Sequence, residues 1–233
     1  MNKLELLSDI NIFEDLAKEE LAYIADESDM LTVPKGEVLV SPNDKESRLY
    51  FLKRGQVRLY RMNHEGRQFT SDVLVDGNVF GRTDKLPLTD ETTFAEALSA
   101  SCVCVMDRNK FDQFLAGKPD VAFKVIHLLS ERLKDVNDIS EQIALADVRY
   151  RTIFLLNKMS EKKGTRSGQW QSIHMQLTHY DIALMVGSTR ETISAVMSQL
   201  KKEGLLQKQT DGYKIHADFM LQELDLLFTQ IQD

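Results

Sequence analysis

The sequence predicts an α+β fold in three parts: an N-terminal β-roll, one long helix, and a C-terminal domain of short helices closed by a hairpin. Three observations predict it. Between residues 38 and 106, short β-prone runs alternate with turn signals. From Pro119, apolar residues recur at alternating steps of four and three. From Leu177, a capped helix, a glycine turn, a second capped helix and a hairpin follow one another. At 233 residues the chain has room for one large domain or two modest ones, each able to bury a core.

The elements follow in order. Leu16, Leu21, Ile24 and Ala25 have helical spacing, and Pro34-Lys35-Gly36 breaks it. Val38-Leu39-Val40, Leu49 to Leu52, Val57 to Tyr60, Phe69 to Val75 and Cys102 to Met106 are the β-prone runs. Pro42-Asn43-Asp44, Gly55, Glu65-Gly66 and Asp76-Gly77-Asn78 separate them. Gly55 and Gly66 are read as turn residues that need unusual backbone angles. Cys102 and Cys104 alternate with valines, which predicts one face of a strand. They are too few for a closed metal site and badly placed to bond each other, so they are read as buried small hydrophobes, with a thiol switch as the alternative.

The pattern turns helical again at Lys110. Pro119-Asp120 starts a helix that runs to about Ala146. Ala122, Ile126, Leu129, Leu133, Val136 and Ile143 form a heptad seam, with Ser140 in the remaining slot. A narrow seam on so long a helix wants a partner helix, and self-pairing gives a two-fold dimer. Packing of the helix on its own barrel is the other reading. Val148 to Met159 reads as a further helix, Lys162 to Gly168 as a polar basic loop, and Trp170 to Leu177 as a strand. The three parts are placed at 1–118, 119–147 and 148–233.

Composition sets the class. Hydrophobic residues make up 42% and charged residues 28%, as in a globular chain. No apolar run reaches the roughly 18 residues that span a bilayer, and the start at Met1 to Glu5 lacks the flank of a signal peptide, so a cytoplasmic protein without a membrane is expected. The net charge is −7, but it is unevenly spread. From Val148 onward 11 Lys and Arg face 9 Asp and Glu, a net +2, whereas the preceding residues carry 18 against 27, a net −9. A local basic face can bind phosphate while the remainder is acidic.

The most informative stretch runs from Leu177 to Leu206. Thr178 can cap a helix with Asp181 in its first turn, much as in a capping box. Ile182, Ala183 and Val186 face inward, and Gly187 ends the helix. Ser188 or Thr189 caps the next helix, from about Arg190 to Glu203, whose inner stripe is Ile193, Val196, Met197 and Leu200. Ala183 is small where two helices must cross. This is a helix-turn-helix, whose second helix enters the DNA major groove. Leu205 to Lys208, the turn Thr210-Asp211-Gly212, and Tyr213 to Ile215 add a hairpin wing.

At these residues the chain resembles the Crp/Fnr family of transcription regulators. The text that carries the resemblance is Leu177-Thr178, Asp181-Ile182-Ala183, Val186 to Ser194, Leu200 and Glu203-Gly204-Leu205. It extends over nearly the whole chain in the same order. It implies an N-terminal roll of the cyclic-nucleotide-binding jelly-roll type, a dimerisation helix and a winged domain, with a hinge at Asp147-Val148-Arg149. Arg190 stands where the family reads guanine, and its planar fork suits the two acceptors of that base. Glu191 stands where the family accepts from a cytosine amino group, and Ser194 where one branch reads with serine. Ala195 departs from the pattern, where the family commonly has a second arginine. Thr178, Ser188, Thr189, Lys201, Lys202 and Lys208 are the candidates for phosphate contact. The implied partners are double-stranded DNA, a second copy of the chain through Ile126, Leu129, Leu133, Val136 and Ile143, and RNA polymerase. The family resemblance suggests an activator, although no residue reports activation against repression.

The sensor half is less explicit. Family pockets use a Gly-Glu pair for ribose and an Arg-Ser pair for the cyclic phosphate. Here the corresponding text is Phe80-Gly81-Arg82-Thr83 and Glu91-Thr92-Thr93-Phe94, with no arginine between Arg82 and Arg108. Cyclic AMP is therefore not the expected effector, and the residues name no other; Arg82 is read as a surface residue, with anion binding from the other side as the alternative. Two cysteines are too few for the family's iron–sulfur branch. His64, His127, His174, His179 and His216 are scattered and read as surface or core residues, so no cofactor is implied. The sequence contains no phosphate loop, metal cluster or nucleophile elbow, so no enzyme is expected. The competing reading is a small-molecule sensor whose winged domain contacts protein; the polar face at Arg190, Glu191 and Ser194 argues against it.

Overall fold

The computed structural model describes residues 7, 8, 10–42, 44, 48–83 and 85–218. The start at Met1 to Glu5, Asn43 of one predicted turn, and the tail of the winged domain from 219 onward lie outside them. The chain divides into two compact units between Lys134 and Asp135.

The first unit holds α1 (Lys18–Asp26), β1 (Ser28–Val33), β2 (Val38–Val40), β3 (Arg48–Arg54), β4 (Val57–Met62), β5 (Gln68–Leu74), β6 (Val79–Gly81), β7 (Phe94–Ala97), β8 (Ser101–Asp107), α2 (Arg108–Ala116) and the start of α3 (Pro119–Leu145). The strands form two antiparallel sheets, ordered β1-β8-β3-β6 and β2-β7-β4-β5. This is the expected roll. Strands β1, β6 and β7 are additions to the sequence reading. The outer strand β1 is exposed along its middle, so it has no alternating signal.

Burial explains the continuous apolar texture of β3 and β8. Leu49, Phe51, Cys104 and Met106 face a core shared with Leu21, Ile24, Phe111 and Phe114 of the helices. Tyr50, Leu52, Val103 and Val105 face the inside of the roll with Leu59, Phe80 and Ala95. Both strands are therefore apolar on both faces. Cys104 is buried as expected, but Cys102 on the same strand is only half-buried. The two cysteines sit at the same side-chain phase, but Cys102 lies at the second position of the strand, opposite the exposed Thr32 of β1. Gly55 and Gly66 take φ of 114° and 78°, as the turn reading requires. A Cβ on Gly55 would sit 2.2 Å from the Ser101 hydroxyl.

The long helix α3 carries two stripes. Val121 and Val125 are buried in the helix-side core, with Leu128 packed against it. Next on that line, Arg132 donates to the carbonyls of Val79 (2.5 Å) and Leu88 (3.4 Å). The predicted seam is a different stripe and is open to solvent. Ile126 is 57% exposed, Leu133 62% and Val136 50%, with Leu129 and Ile143 also exposed. The reading of this helix as packed on its own roll thus holds for one face, while the seam lies exposed on another.

The second unit contains the end of α3, then α4 (Val148–Lys162), β9 (Gly164–Ser167), β10 (Trp170–Ile173), α5 (His179–Val186), α6 (Arg190–Lys202), β11 (Leu206–Gln209) and β12 (Gly212–His216). Asp147 caps α4 by accepting from the Tyr150 N–H (2.8 Å). Lys158 of α4 binds Asp135 (2.5 Å) and Asp138 (2.9 Å) near the end of α3. The sheet order is β11-β12-β10-β9. Two sequence readings change here. The polar stretch read as a loop contains an edge strand, β9, because its backbone pairs with β10 although its side chains stay in solvent. The strand expected from Trp170 to Leu177 ends at Ile173. Its partner β12 begins at Gly212, immediately after the Asp211 turn, and leaves no ladder beyond Ile173–Tyr213.

Candidate nucleic-acid interface

The helix pair is built by local chemistry. Thr178 and Asp181 form a reciprocal capping box. The Asp181 N–H donates to the Thr178 hydroxyl oxygen (3.1 Å), and the Thr178 N–H donates to the Asp181 carboxylate (2.7 Å). Gly187 adopts the left-handed conformation, φ 65° and ψ 52°, which lets Ser188 N–H return to the Ala183 carbonyl (3.0 Å). Of the two possible caps, Thr189 is the one used, accepting from Thr192 N–H (3.2 Å). Ile193, Met197 and Leu200 of α6 are fully buried, with Val196 half-buried beside them, and Ala183 is buried where α5 crosses.

Burying that stripe fixes what the remaining faces present. Arg190 and Glu191 are exposed in the first turn of α6, and Lys201 and Lys202 in its last. By helical spacing Arg190, Ser194 and Lys201 lie along one flank, and Glu191, Ala195, Ser198 and Lys202 along the outermost ridge. The opposite flank carries Gln199 and Glu203. There Arg149 of α4 pairs with Glu203 (2.7 Å), and that hydrogen bond holds the Glu203 carboxyl below its usual range. Lys208 is exposed on the wing strand β11, Thr178 and Thr189 are exposed at the two caps, and Ser188 is half-buried in the turn.

Ser194 is less free than the sequence suggests. Its hydroxyl donates to the Arg190 carbonyl (2.8 Å) and meets His179 Nδ1 of α5 (2.9 Å). His179 was not singled out as a site residue, and no sequence pattern distinguishes it; only the crossing of α5 and α6 brings it to the cationic flank. Burial pushes its pKa down, and the charges of Lys201, Lys208 and Arg190 push it further. At the wing, Asp211 accepts from His174 Nδ1 (2.6 Å), which lowers its pKa.

In the first unit, the stretch matched to nucleotide pockets makes several internal hydrogen bonds, although Arg82 Nη1 is buried with no partner among the described residues. Arg82 is half-buried, not a surface residue as read from sequence. Its guanidinium donates to the Asp44 carbonyl (2.5 Å) and its backbone N–H to the Arg48 carbonyl (2.9 Å), contacts with a segment distant in sequence. The Asp90 carboxylate accepts from the Thr92 N–H (2.8 Å) and from the Thr92 (2.7 Å) and Thr93 (2.8 Å) hydroxyls, and pairs with Arg61. Burial pushes Asp90 up, but these donors outweigh it and hold the carboxyl at about 2. Among the described residues, no three His, Cys, Asp or Glu side chains are grouped to hold a metal, and no helix is long and apolar enough to cross a membrane.

Comparison with known proteins agrees with this architecture. Residues 30–118 match the cyclic nucleotide-binding domain family, and residues 151–224 match the Crp-like helix-turn-helix domain family. A CRP-like cAMP-activated global transcriptional regulator of Mycobacterium tuberculosis is 22% identical over 203 residues, covering 87% of this chain and 91% of that protein. A CooA mutant from Carboxydothermus hydrogenoformans superposes with a TM-score of 0.74 at 23% identity, covering 99% of this chain and 96% of the other. A structure described as a crp/fnr-family transcriptional regulator from Eubacterium rectale gives 0.66 at 22% identity, covering 94% and 99%. With a nucleotide-binding-type roll, a long helix and a Crp-like helix-turn-helix in that order, the chain belongs to the Crp/Fnr family of DNA-binding transcription regulators.

Proposed function

We propose that the chain binds an inverted-repeat site in double-stranded DNA as a homodimer and regulates transcription there with RNA polymerase as a partner, in the cytoplasm and without catalytic activity of its own. The observation that carries this reading is the division of α6: Ile193, Met197 and Leu200 of its apolar stripe are buried while Arg190 and Glu191 stand exposed in its first turn. In this assignment Arg190 reads guanine, Glu191 reads a cytosine amino group and Ser194 reads beside them. Thr178, Ser188, Thr189, Lys201, Lys202 and Lys208 position the protein on phosphates. The functional division is 1–118 for sensing, 119–147 for dimerisation and 148–233 for DNA. Support for the dimer comes from the exposed seam Ile126, Leu129, Leu133, Val136 and Ile143, a row of apolar side chains that pairing would cover.

Cyclic AMP is not the effector in this reading. Arg82 stands where the ribose carboxylate is expected, and Asp90 already occupies the N–H and hydroxyl donors of the second loop. Calorimetric binding of cyclic AMP at micromolar affinity would overturn that part. The test of the whole is selection of bound sequences from a random duplex pool without added ligand. Recovery of an inverted repeat with a guanine in each half-site is the expected result, with affinity that falls steeply as salt rises. If no motif is recovered with or without cell extract, the DNA-reading assignment fails.

A further inference from the structure

We propose that His179 is a contact to the DNA backbone phosphate and takes up a proton when duplex binds. The inference rests on the DNA-binding reading above and adds to it a residue and a linked proton. The geometry starts at Ser194. Its hydroxyl has a single hydrogen, and the Arg190 carbonyl 2.8 Å away can only accept, so that hydrogen is spent there. The Ser194 oxygen therefore accepts from His179 Nδ1–H at 2.9 Å. A neutral ring held this way carries its lone pair on Nε2, which has no hydrogen-bond partner among the described residues.

The surroundings select an anion. Arg190 and Lys201 of α6 and Lys208 of β11 all act on the ring. On its own helix the nearby charge is Asp181, whose carboxylate is engaged by the Thr178 N–H and hydroxyl. In helix-turn-helix docking the first helix crosses the DNA backbone, and His179 opens that helix. A neutral Nε2 would present a lone pair to a phosphate oxygen and repel it. The imidazolium instead donates a charge-assisted hydrogen bond. Free protein disfavours the imidazolium, since burial and the three cations all oppose it. Arriving phosphates offset those cations and favour it. Bound protein then holds more protons than free protein, so affinity rises as pH falls and is lost as pH rises past the bound-state pKa.

The test is calorimetry of the full chain with a random-sequence duplex at low ionic strength, in phosphate and in Tris. Phosphate contact is sequence-independent, so the recognition site need not be known. Net proton uptake per protomer, and affinity about tenfold weaker at pH 8 than at pH 6, are expected. His179→Asn keeps a donor for Ser194 but does not titrate; it should remove both the uptake and the pH dependence. Binding of the wild type with no proton uptake overturns the inference without the variant, and so does an unchanged pH dependence in a folded His179→Asn. No binding to any duplex at any pH would overturn the DNA-binding reading itself.

Discussion

Helices α6 and α3 carry similar apolar stripes with opposite fates. In α6, Ile193, Met197 and Leu200 have no exposure, because α4 and α5 of the same unit close over them. In α3, Val121 and Val125 are buried in the same way, but the second stripe from Ile126 to Ile143 is left to solvent. A stripe closed within its own fold leaves the polar side of the helix free to work. A stripe left open fits the proposed pairing of two copies, which would cover it. One periodicity thus has two outcomes, and only burial tells them apart.

The largest effect that would break this comparison is expected at Met197. Met197→Asp puts an unpaired charge into a fully buried position and should cost about 4 kcal/mol of the winged unit's stability, read by denaturant unfolding. Leu133→Asp should leave unfolding nearly unchanged, since the side chain is 62% exposed. It should convert dimer to monomer in sedimentation and weaken binding to a two-half-site duplex by about a hundredfold. Equal losses of fold stability at the two positions would erase the distinction.

Smaller effects sharpen it. Arg190→Ala, on the free side of α6, should cost roughly 1–3 kcal/mol of DNA affinity and relax preference at one base pair, without changing the melting transition. Uniform weakening on all sequences would instead mark Arg190 as a phosphate contact. Asp181→Ala removes the acceptor of the Thr178 N–H and should cost about 1 kcal/mol of stability by thermal denaturation. The smallest effect belongs to the roll on which the inner stripe of α3 lies. Asp90 titrates at about 2 in the folded chain, below its ordinary 3.8. Its stabilising contribution is therefore complete above the ordinary value and is lost as pH falls toward 2. Acid unfolding of Asp90→Asn should show a shallower loss in that window than the wild type.

Legibility followed the range of the interactions. The caps at Thr178 and Asp181, the left-handed turn at Gly187 and the stripe of α6 each involve residues three to seven apart, and all could be read in advance. The edge strand β9 could not, because nothing in Gly164–Ser167 but its pairing with β10 makes it a strand. Arg82 was misread as a surface residue for the same reason: its acceptor, the Asp44 carbonyl, lies 38 residues away. His179 lies 15 residues from Ser194, beyond any local pattern.

The sequence by itself determined the order of roll, long helix and winged helix-turn-helix, because periodicity, caps and turn glycines act between near neighbours. Tertiary structure alone decided which stripe of α3 stays bare, which cysteine is half-exposed, that Asp90 takes up the donors of its own loop, and that His179 holds Ser194. Those outcomes depend on which distant segment covers or meets a side chain, and a chain's local pattern carries no record of that.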